Sequence, residues 1–375
     1  MLLEFGKGLI IVVVAQLLFL SLFLFTQKTH HKLSNRLLAV FFLLMAINFS
    51  DLLLKLMDLD GHYQKVALLD DAFILAFGPI IWQYTQSLIS GIHRFPRKWI
   101  WHYLPFMLVT LLYLVISMLL PADQHGQMLE DIDNAQLPLY IVVITILMQL
   151  HPLVYLLSAY RSVARYAQVV KSRFSNLKDR NPHWIGFVLR SVLFLMLVSL
   201  LHATLPIFTR SNFLLPTVML LLIAVLFFVN RWIWKALRSS YIIDTSNELP
   251  KYSGSRLSES DRLDYKNRLE KSLQEQKHFL NADLTIDDLS KELSIAPKTL
   301  SQVINQSYQL NFYEFINQYR IKEAKVLLEE TPDSILSILF QCGYNSKSSF
   351  NTFFKKYTGT TPSDYRKSHQ NGSSS

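Results

Sequence analysis

An all-α chain in two parts is predicted: a seven-helix transmembrane bundle, then a soluble helical domain in which two helix-turn-helix units are joined by a long helix. Three observations carry the prediction. Seven apolar runs crowd the first two thirds of the 375 residues. The last third turns to ordinary soluble composition, rich in Lys, Glu, Asp, Ser and Gln. Within that third one layout of helix, tight turn and helix occurs twice, about 50 residues apart.

The runs fall at 8–26, 36–56, 66–90, 100–120, 137–160, 186–208 and 213–235, each long enough, or nearly so, to cross a hydrocarbon core. The first lacks a positive start and a small-residue cleavage site, so it reads as an anchor rather than a signal peptide. Basic residues alternate between the connections. Lys28, Lys32 and Arg36 fill the first, Arg94, Arg97 and Lys98 the third, and Arg161, Arg165, Lys171, Arg173, Lys178 and Arg180 the fifth. Arg231, Lys235 and Arg238 close the last run, whereas the second, fourth and sixth connections hold only Lys65 and Arg210. The positive-inside rule then places the N-terminus outside and the C-terminal third in the cytoplasm. Trp99, Trp101, Trp232 and Trp234 stand at the inner ends, as interfacial anchors do.

This explains the charge. Residues 1–260 hold 22 Lys and Arg against 14 Asp and Glu, a balance of +8, while 261–375 hold 15 against 14. The net +9 is thus a topology signal and gives little support to nucleic-acid binding. Four polar residues fall in the outer half of the runs: Asp51, Asp70, Asp71 and His202. They could line an outward-facing ligand or sensor site, or sit near the interface and pair with Lys55, Lys65 or Arg210. His151 and Pro152 lack metal-ligand spacing and read as packing or a kink.

No enzyme signature, metal site or cofactor site is read. Gly-x-Ser-x-Gly, His-Glu-x-x-His and a phosphate-cradling Gly-rich loop are all missing from the sequence. An intramembrane enzyme using Asp70 and Asp71 is disfavoured, because adjacent carboxylates point about 100° apart on a helix. The one cysteine, Cys342, permits no disulfide within the chain and is read as a small buried residue.

The expected domain boundaries are 1–238 for the spans, 239–260 for a Ser-rich linker, 261–369 for the helical domain and 370–375 for a disordered tail. In DLTIDDLSKELSIAPKTLSQVIN (283–305), Thr285 with Asp288 forms a capping box. Ile286, Leu289 and Leu293 make one apolar stripe, and Leu300, Val303 and Ile304 make the next. Pro297 fits the first position of the second helix. That helix would expose Lys298, Thr299, Ser301, Gln302 and Asn305. In SILSILFQCGYNSKSSFNTFFKK the layout recurs: Ile335, Ile338 and Leu339, a turn at Gly343, a cap at Asn345 or Ser346, then Phe350, Phe353, Phe354 and Tyr357 inward. Lys347, Ser348, Asn351, Thr352, Lys355 and Lys356 would point out. Gly359 ends the helix and Pro362 prevents its continuation. Phe312, Phe315, Ile316, Tyr319, Ala324, Leu327 and Leu328 follow a 3.6 period, giving one long helix between the halves. Either half alone reads as a small bundle with a wet polar face. Two matching halves ending in the basic run Lys347, Lys355, Lys356, Arg366 and Lys367 favour nucleic acid.

LTIDDLSKEL, LSQVIN, FINQYRIKEAKVLL and GYNSKSSFNTFFKKYTGTTPSDYR resemble the DNA-binding domain of AraC/XylS-family transcriptional regulators over residues 263–367. The resemblance implies two helix-turn-helix motifs entering successive major-groove segments on one face of double-stranded promoter DNA. It makes 297–306 and 346–357 the recognition helices. The sequence departs from the family at Ala296, where Ser is usual, and at Ser290 and Leu339, where Ala is favoured. AFGPIIWQYTQSLI (76–89) and HYLPF (102–106) are similar to a membrane-embedded branch of the family, which implies a multi-pass protein of the bacterial inner membrane.

The function expected is a membrane-embedded, sequence-specific transcription regulator that couples a signal to promoter binding. Lys298, Lys355, Lys356 and Arg366 would meet phosphates, and Gln302, Asn305, Lys347, Ser348 and Asn351 would reach base edges. DNA and membrane lipid are the expected partners, with a homodimer mate and an unidentified small-molecule or protein signal. The alternative is a membrane receptor or transporter whose helical tail binds a protein partner.

Overall fold

The computed structural model describes residues 2–27, 31–57, 71–119, 139–177, 183–209, 214–238 and 257–370. Among these residues there are fourteen α-helices, a few 3-10 turns and one isolated β-bridge. The chain divides into two compact units: residues 1–164 with 183–241, and residues 165–182 with 242–375.

The first unit holds α1 (Leu2–Thr26), α2 (Lys32–Leu56), α3 (Ile74–Ile89), α4 (Leu104–Leu119), most of α5 (Leu139–Arg173), α6 (His183–Thr209) and α7 (Leu214–Arg238). Seven helices here are long and apolar enough to cross a membrane. The fifth apolar run, expected to end at 160, continues as helix to Arg173. The reason lies in its last turns, where Ser162, Val163, Tyr166 and Val170 repeat at helical spacing and are buried.

In this unit α1 packs along α2 and meets α7, α2 meets α3, and α6 pairs with α7. Small polar residues tie the helices together. Ser21 Oγ donates to Ala39 O at 2.9 Å, Ser34 and Ser87 share a 2.7 Å hydrogen bond, and Gln86 Nε2 donates to Ser162 Oγ at 2.8 Å. A Cβ on Gly78 would lie 2.7 Å from Pro152 Cα, so α3 and α5 approach closely there. Pro152 therefore has a packing role. Of the four tryptophans read as interfacial anchors, Trp99 and Trp232 are instead buried against protein, while Trp101 and Trp234 are exposed.

The second unit is built from α8 (Glu259–Gln276), α9 (Ile286–Leu293), α10 (Pro297–Tyr308), α11 (Phe312–Glu330), α12 (Ile335–Gln341), α13 (Lys347–Thr358) and α14 (Pro362–Gln370). The segment expected as linker, 239–260, lies mostly outside the described residues, but its end is helical. Ser258 caps α8 by accepting from Asp261 N. Pro362 does not simply stop the chain. It opens α14, whose first turn is held by Thr361 Oγ1 accepting from Asp364 N at 3.2 Å.

Two cores form, one per half. The first gathers Leu273, Phe279, Ile286, Leu289, Leu300, Ile304, Phe312 and Phe315. The second gathers Ala324, Leu328, Ile338, Leu339, Phe350, Phe354 and Tyr365. Helix α11 supplies its first turns to one core and its last turns to the other, so a single helix joins the halves.

Candidate nucleic-acid interface

Each half presents its second helix by local chemistry that the sequence encodes. In the first, Thr285 Oγ1 accepts from Asp288 N and the Asp288 carboxylate accepts from Thr285 N, a complete capping box that starts α9. Ser294 then adopts a left-handed conformation, φ 52°, and turns the chain into α10. Ala296 stands at the N-cap of α10 with no side-chain hydrogen bond, and Pro297 follows. In the second half Ser334 caps α12, Gly343 makes the turn at φ 78°, and Ser346 rather than Asn345 caps α13. Gly359, φ 79°, ends α13.

The two exposed faces differ. On α13 Lys347, Ser348, Asn351, Thr352, Lys355 and Lys356 are all exposed, over a floor of buried Phe350, Phe353 and Phe354. Of the candidate contacts on α10 only Asn305 is exposed; Lys298, Thr299, Ser301 and Gln302 are half-buried. Lys298 and Gln302 already make contacts within the protein. Thr352 Oγ1 donates back to Ser348 O at 2.8 Å. Lys356 Nζ sits 3.1 Å from Glu314 Oε1 and over the Phe353 and Tyr357 rings, so part of its charge is offset. Arg366 is half-buried, and its Nε and Nη2 are enclosed without a hydrogen-bond partner among the described residues.

Of the expected outward-facing polar residues, Asp51 and Asp71 both lie within electrostatic reach of Lys55. Asp51 pairs with Lys55 at 2.8 Å along one helix face. His202 Nδ1 lies 2.9 Å from Thr217 Oγ1. Asp71 opens the 3-10 turn before α3, and Asp70 lies outside the described residues. Among the described residues no cluster of His, Cys, Asp or Glu could hold a metal. Cys342 is fully buried, and burial pushes its thiol up to about 12, so it stays protonated.

Sequence reasoning passed over Arg320. It is 1% exposed, sits at the middle of α11 between the two cores, and has no ion-pair partner among the described residues. Burial lowers its guanidinium to about 10, still far above neutral pH, so the charge persists. Nε donates to Phe279 O at 2.7 Å and Nη2 to Asn281 O at 2.8 Å, both in the first half. The plane lies over Tyr344 of the second half, 5.6 Å from the ring centre. The signal was legible: Arg320 is four residues from both Ile316 and Ala324, on the buried face of the helix, which also takes in Asn317.

A family model described as Helix-turn-helix domain matches residues 289–368. The chain is 32% identical over 114 residues to the Msm operon regulatory protein of Streptococcus mutans, covering 30% of this chain and 40% of that protein. It is 32% identical over 89 residues to the uncharacterized HTH-type transcriptional regulator YtdP of Bacillus subtilis, covering 24% of this chain and 12% of that one. The chain thus spans less than half the length of either relative. The C-terminal domain of AraT, a response regulator from Geobacillus stearothermophilus, is similar at 32% identity over 30% of this chain and 88% of its own, with a TM-score of 0.26. Residues 289–368 thus form a helix-turn-helix domain of the AraC type.

Proposed function

We propose that this protein is a sequence-specific DNA-binding transcription regulator held in a membrane by its first unit. The observation that carries the reading is the exposed polar face of α13, with three lysines, two hydroxyls and an amide, on a domain of a DNA-binding family. Lys355 is the main phosphate contact, and Lys356 joins it by exchanging Glu314 for DNA. Lys347, Ser348 and Asn351 reach base edges from the N-terminal turns of α13, and Asn305 does so from α10. Thr299, Ser301, Gln302, Thr352, Lys298 and Arg366 contribute from the flanks.

Membrane insertion is supported by surface chemistry. On α4, Met107, Leu108, Leu111, Leu112, Met118 and Leu119 are all more than half exposed. A face of that size has no place in water. The charge alternation supports an outside N-terminus and a cytoplasmic C-terminal unit.

The test uses the full chain in lipid nanodiscs. Preferred duplexes are selected from a random pool, and the winner is titrated against a scrambled duplex at two salt concentrations. The expected result is a preference that survives added salt. Lys355→Ala should reduce affinity for both duplexes and flatten the log–log salt slope by about one unit. A chain that shows no preference at either salt, and whose C-terminal unit retains a protein from solution instead, is the receptor or transporter with a protein-binding tail.

A further inference from the structure

The second unit includes a piece of chain from far upstream, residues 165–182. This piece is the end of α5 and the connection that follows it. The last helical hydrogen bond runs from Phe174 N to Val170 O at 3.0 Å. The backbone then straightens, and Phe174 pairs antiparallel with Thr285, the N-cap of α9. Ser175 N donates to Leu284 O at 3.1 Å, and Ser175 Oγ donates to the same oxygen at 2.6 Å. Ser175 O and Oγ each accept from Arg320, through Nη1 and Nη2, both at 3.0 Å. Asn317 Nδ2 reaches Ser175 O at 3.5 Å. Ser175 is 1% exposed.

Every polar group of Ser175 is therefore used, and every partner belongs to the helix-turn-helix domain. Arg320 divides its four hydrogen bonds evenly: two hold Phe279 and Asn281, and two hold Ser175. A buried guanidinium needs its donors satisfied, because an unmet charged donor in the interior costs several times an ordinary hydrogen bond. Without Ser175, Nη1 would lose its one partner among the described residues. The domain thus carries a built receptor for one extended residue, placed where the two cores meet. Its occupant arrives on the same continuous helix that contains the fifth apolar run.

We propose that Phe174–Ser175 is a docking key for the DNA-binding domain: seated, it completes the hydrogen bonds of Arg320 and fixes the two halves at the spacing that DNA requires. A signal that shifts or rotates α5 withdraws the key and loosens that spacing. This route between the units' functions does not use the segment 239–260. It rests on the DNA-binding reading above only for its output, not for the docking itself.

Docking is tested without DNA. Phe174 and Thr285 face each other as a pair flanked by the Ser175 N–Leu284 O hydrogen bond rather than joined through one. Such pairs have Cα atoms about 4.5 Å apart, inside the range that a disulfide spans. The double variant Phe174→Cys with Thr285→Cys, in nanodiscs, is treated with oxidised glutathione. The expected result is an intrachain disulfide in most molecules, seen by intact mass and reversed by reductant, and missing from both single variants. No disulfide above the single variants, in chains whose C-terminal unit resists protease as the wild type does, overturns the proposal. Coupling is then tested with Ser175→Pro, which removes the Ser175 N–H and hydroxyl. It should bind the selected duplex at least tenfold more weakly than wild type, and Ser175→Ala should fall between. Affinity within twofold of wild type for both variants, or tenfold weaker binding by the oxidised disulfide form, overturns the coupling. A wild-type chain that binds no duplex removes the transcription reading and the coupling with it, while the disulfide yield still decides the docking.

Discussion

The two helix-turn-helix halves share one plan and differ in how each turn is secured. In the first, the bend is made by Ser294 in a left-handed conformation and the second helix starts at an uncapped Ala296. In the second, Gly343 makes the bend and Ser346 caps the helix. The first half exposes Asn305 but keeps Lys298, Thr299, Ser301 and Gln302 half-buried, and the second exposes all of its candidate contacts on α13. The second half is thus the better specified of the two, and its recognition face is the more open. The difference teaches that a repeat in sequence fixes layout but leaves the placement of each helix to a few turn and cap residues.

The largest test of this contrast lies at the glycines. Gly343 and Gly359 have nearly the same positive φ. A Cβ at Gly343 would meet Leu280 O at 2.6 Å and Phe279 O at 2.9 Å, whereas at Gly359 it would meet open space. Gly359→Ala should therefore cost only the left-handed penalty, about 1–2 kcal/mol. Gly343→Ala should cost that plus a backbone clash, about 3 kcal/mol or more in total. Pulse proteolysis of the full chain across a urea series would measure both. Equal losses would show that the Gly343 turn does not press on the 278–280 turn and that the halves are joined less tightly than they look. Tryptophan fluorescence would not serve, since all six tryptophans lie before residue 235.

Much of this arrangement is written in local pattern. The seven apolar runs, the Thr285–Asp288 box, the stripes of α9, α10 and α13, and the turn at Gly343 all depend on neighbours within a few residues, so periodicity and turn chemistry reveal them. Helix α14 could also have been read, because Thr361-x-x-Asp364 after a glycine stop repeats the signal used at Thr285. The continuation of α5 past residue 160 was hidden because basic residues mark the end of the apolar run and not the end of the helix. Ser175 could not have been found. Its partners lie 109 and 145 residues away, and a polar contact across that distance leaves no period in the sequence. The fate of the candidate DNA contacts shows the same limit. Exposure of Lys347 and Lys355 follows from helix phase, but the pairing of Lys356 with Glu314 depends on how α13 packs on α11.

The caps give the next contrast. Ser346 accepts from Ser349 N, so Ser346→Ala should destabilise the second half by about 1 kcal/mol. Ala296→Ser supplies the missing cap on α10 and should stabilise the first half by about 0.5–2 kcal/mol, less whatever Pro297 already provides by fixing the first helical φ. Hydrogen exchange resolved by peptide would assign each change to its half. If Ala296→Ser had no effect while Ser346→Ala did, Pro297 alone would be setting the start of α10.

The smallest expected effect concerns a residue where the family resemblance favours alanine in both halves. The second half places Leu339 there, 1% exposed and part of its core. The first half places Ser290, 3% exposed, with its hydroxyl buried and without a partner among the described residues. A hydroxyl removed from water and left unmet costs about 1–3 kcal/mol on mutational scales. Ser290→Ala removes that cost and keeps the small volume that close helix contact needs. The first half should therefore gain up to about 1 kcal/mol, since part of the penalty is relieved by relaxation around the hydroxyl. A shift of the pulse-proteolysis midpoint to higher urea for Ser290→Ala would make the unmet hydroxyl a true weakness of the first half. A shift to lower urea would mean that Ser290 is hydrogen-bonded in solution, through a water or a rotated hydroxyl, and that the two halves are more evenly built than their contacts indicate.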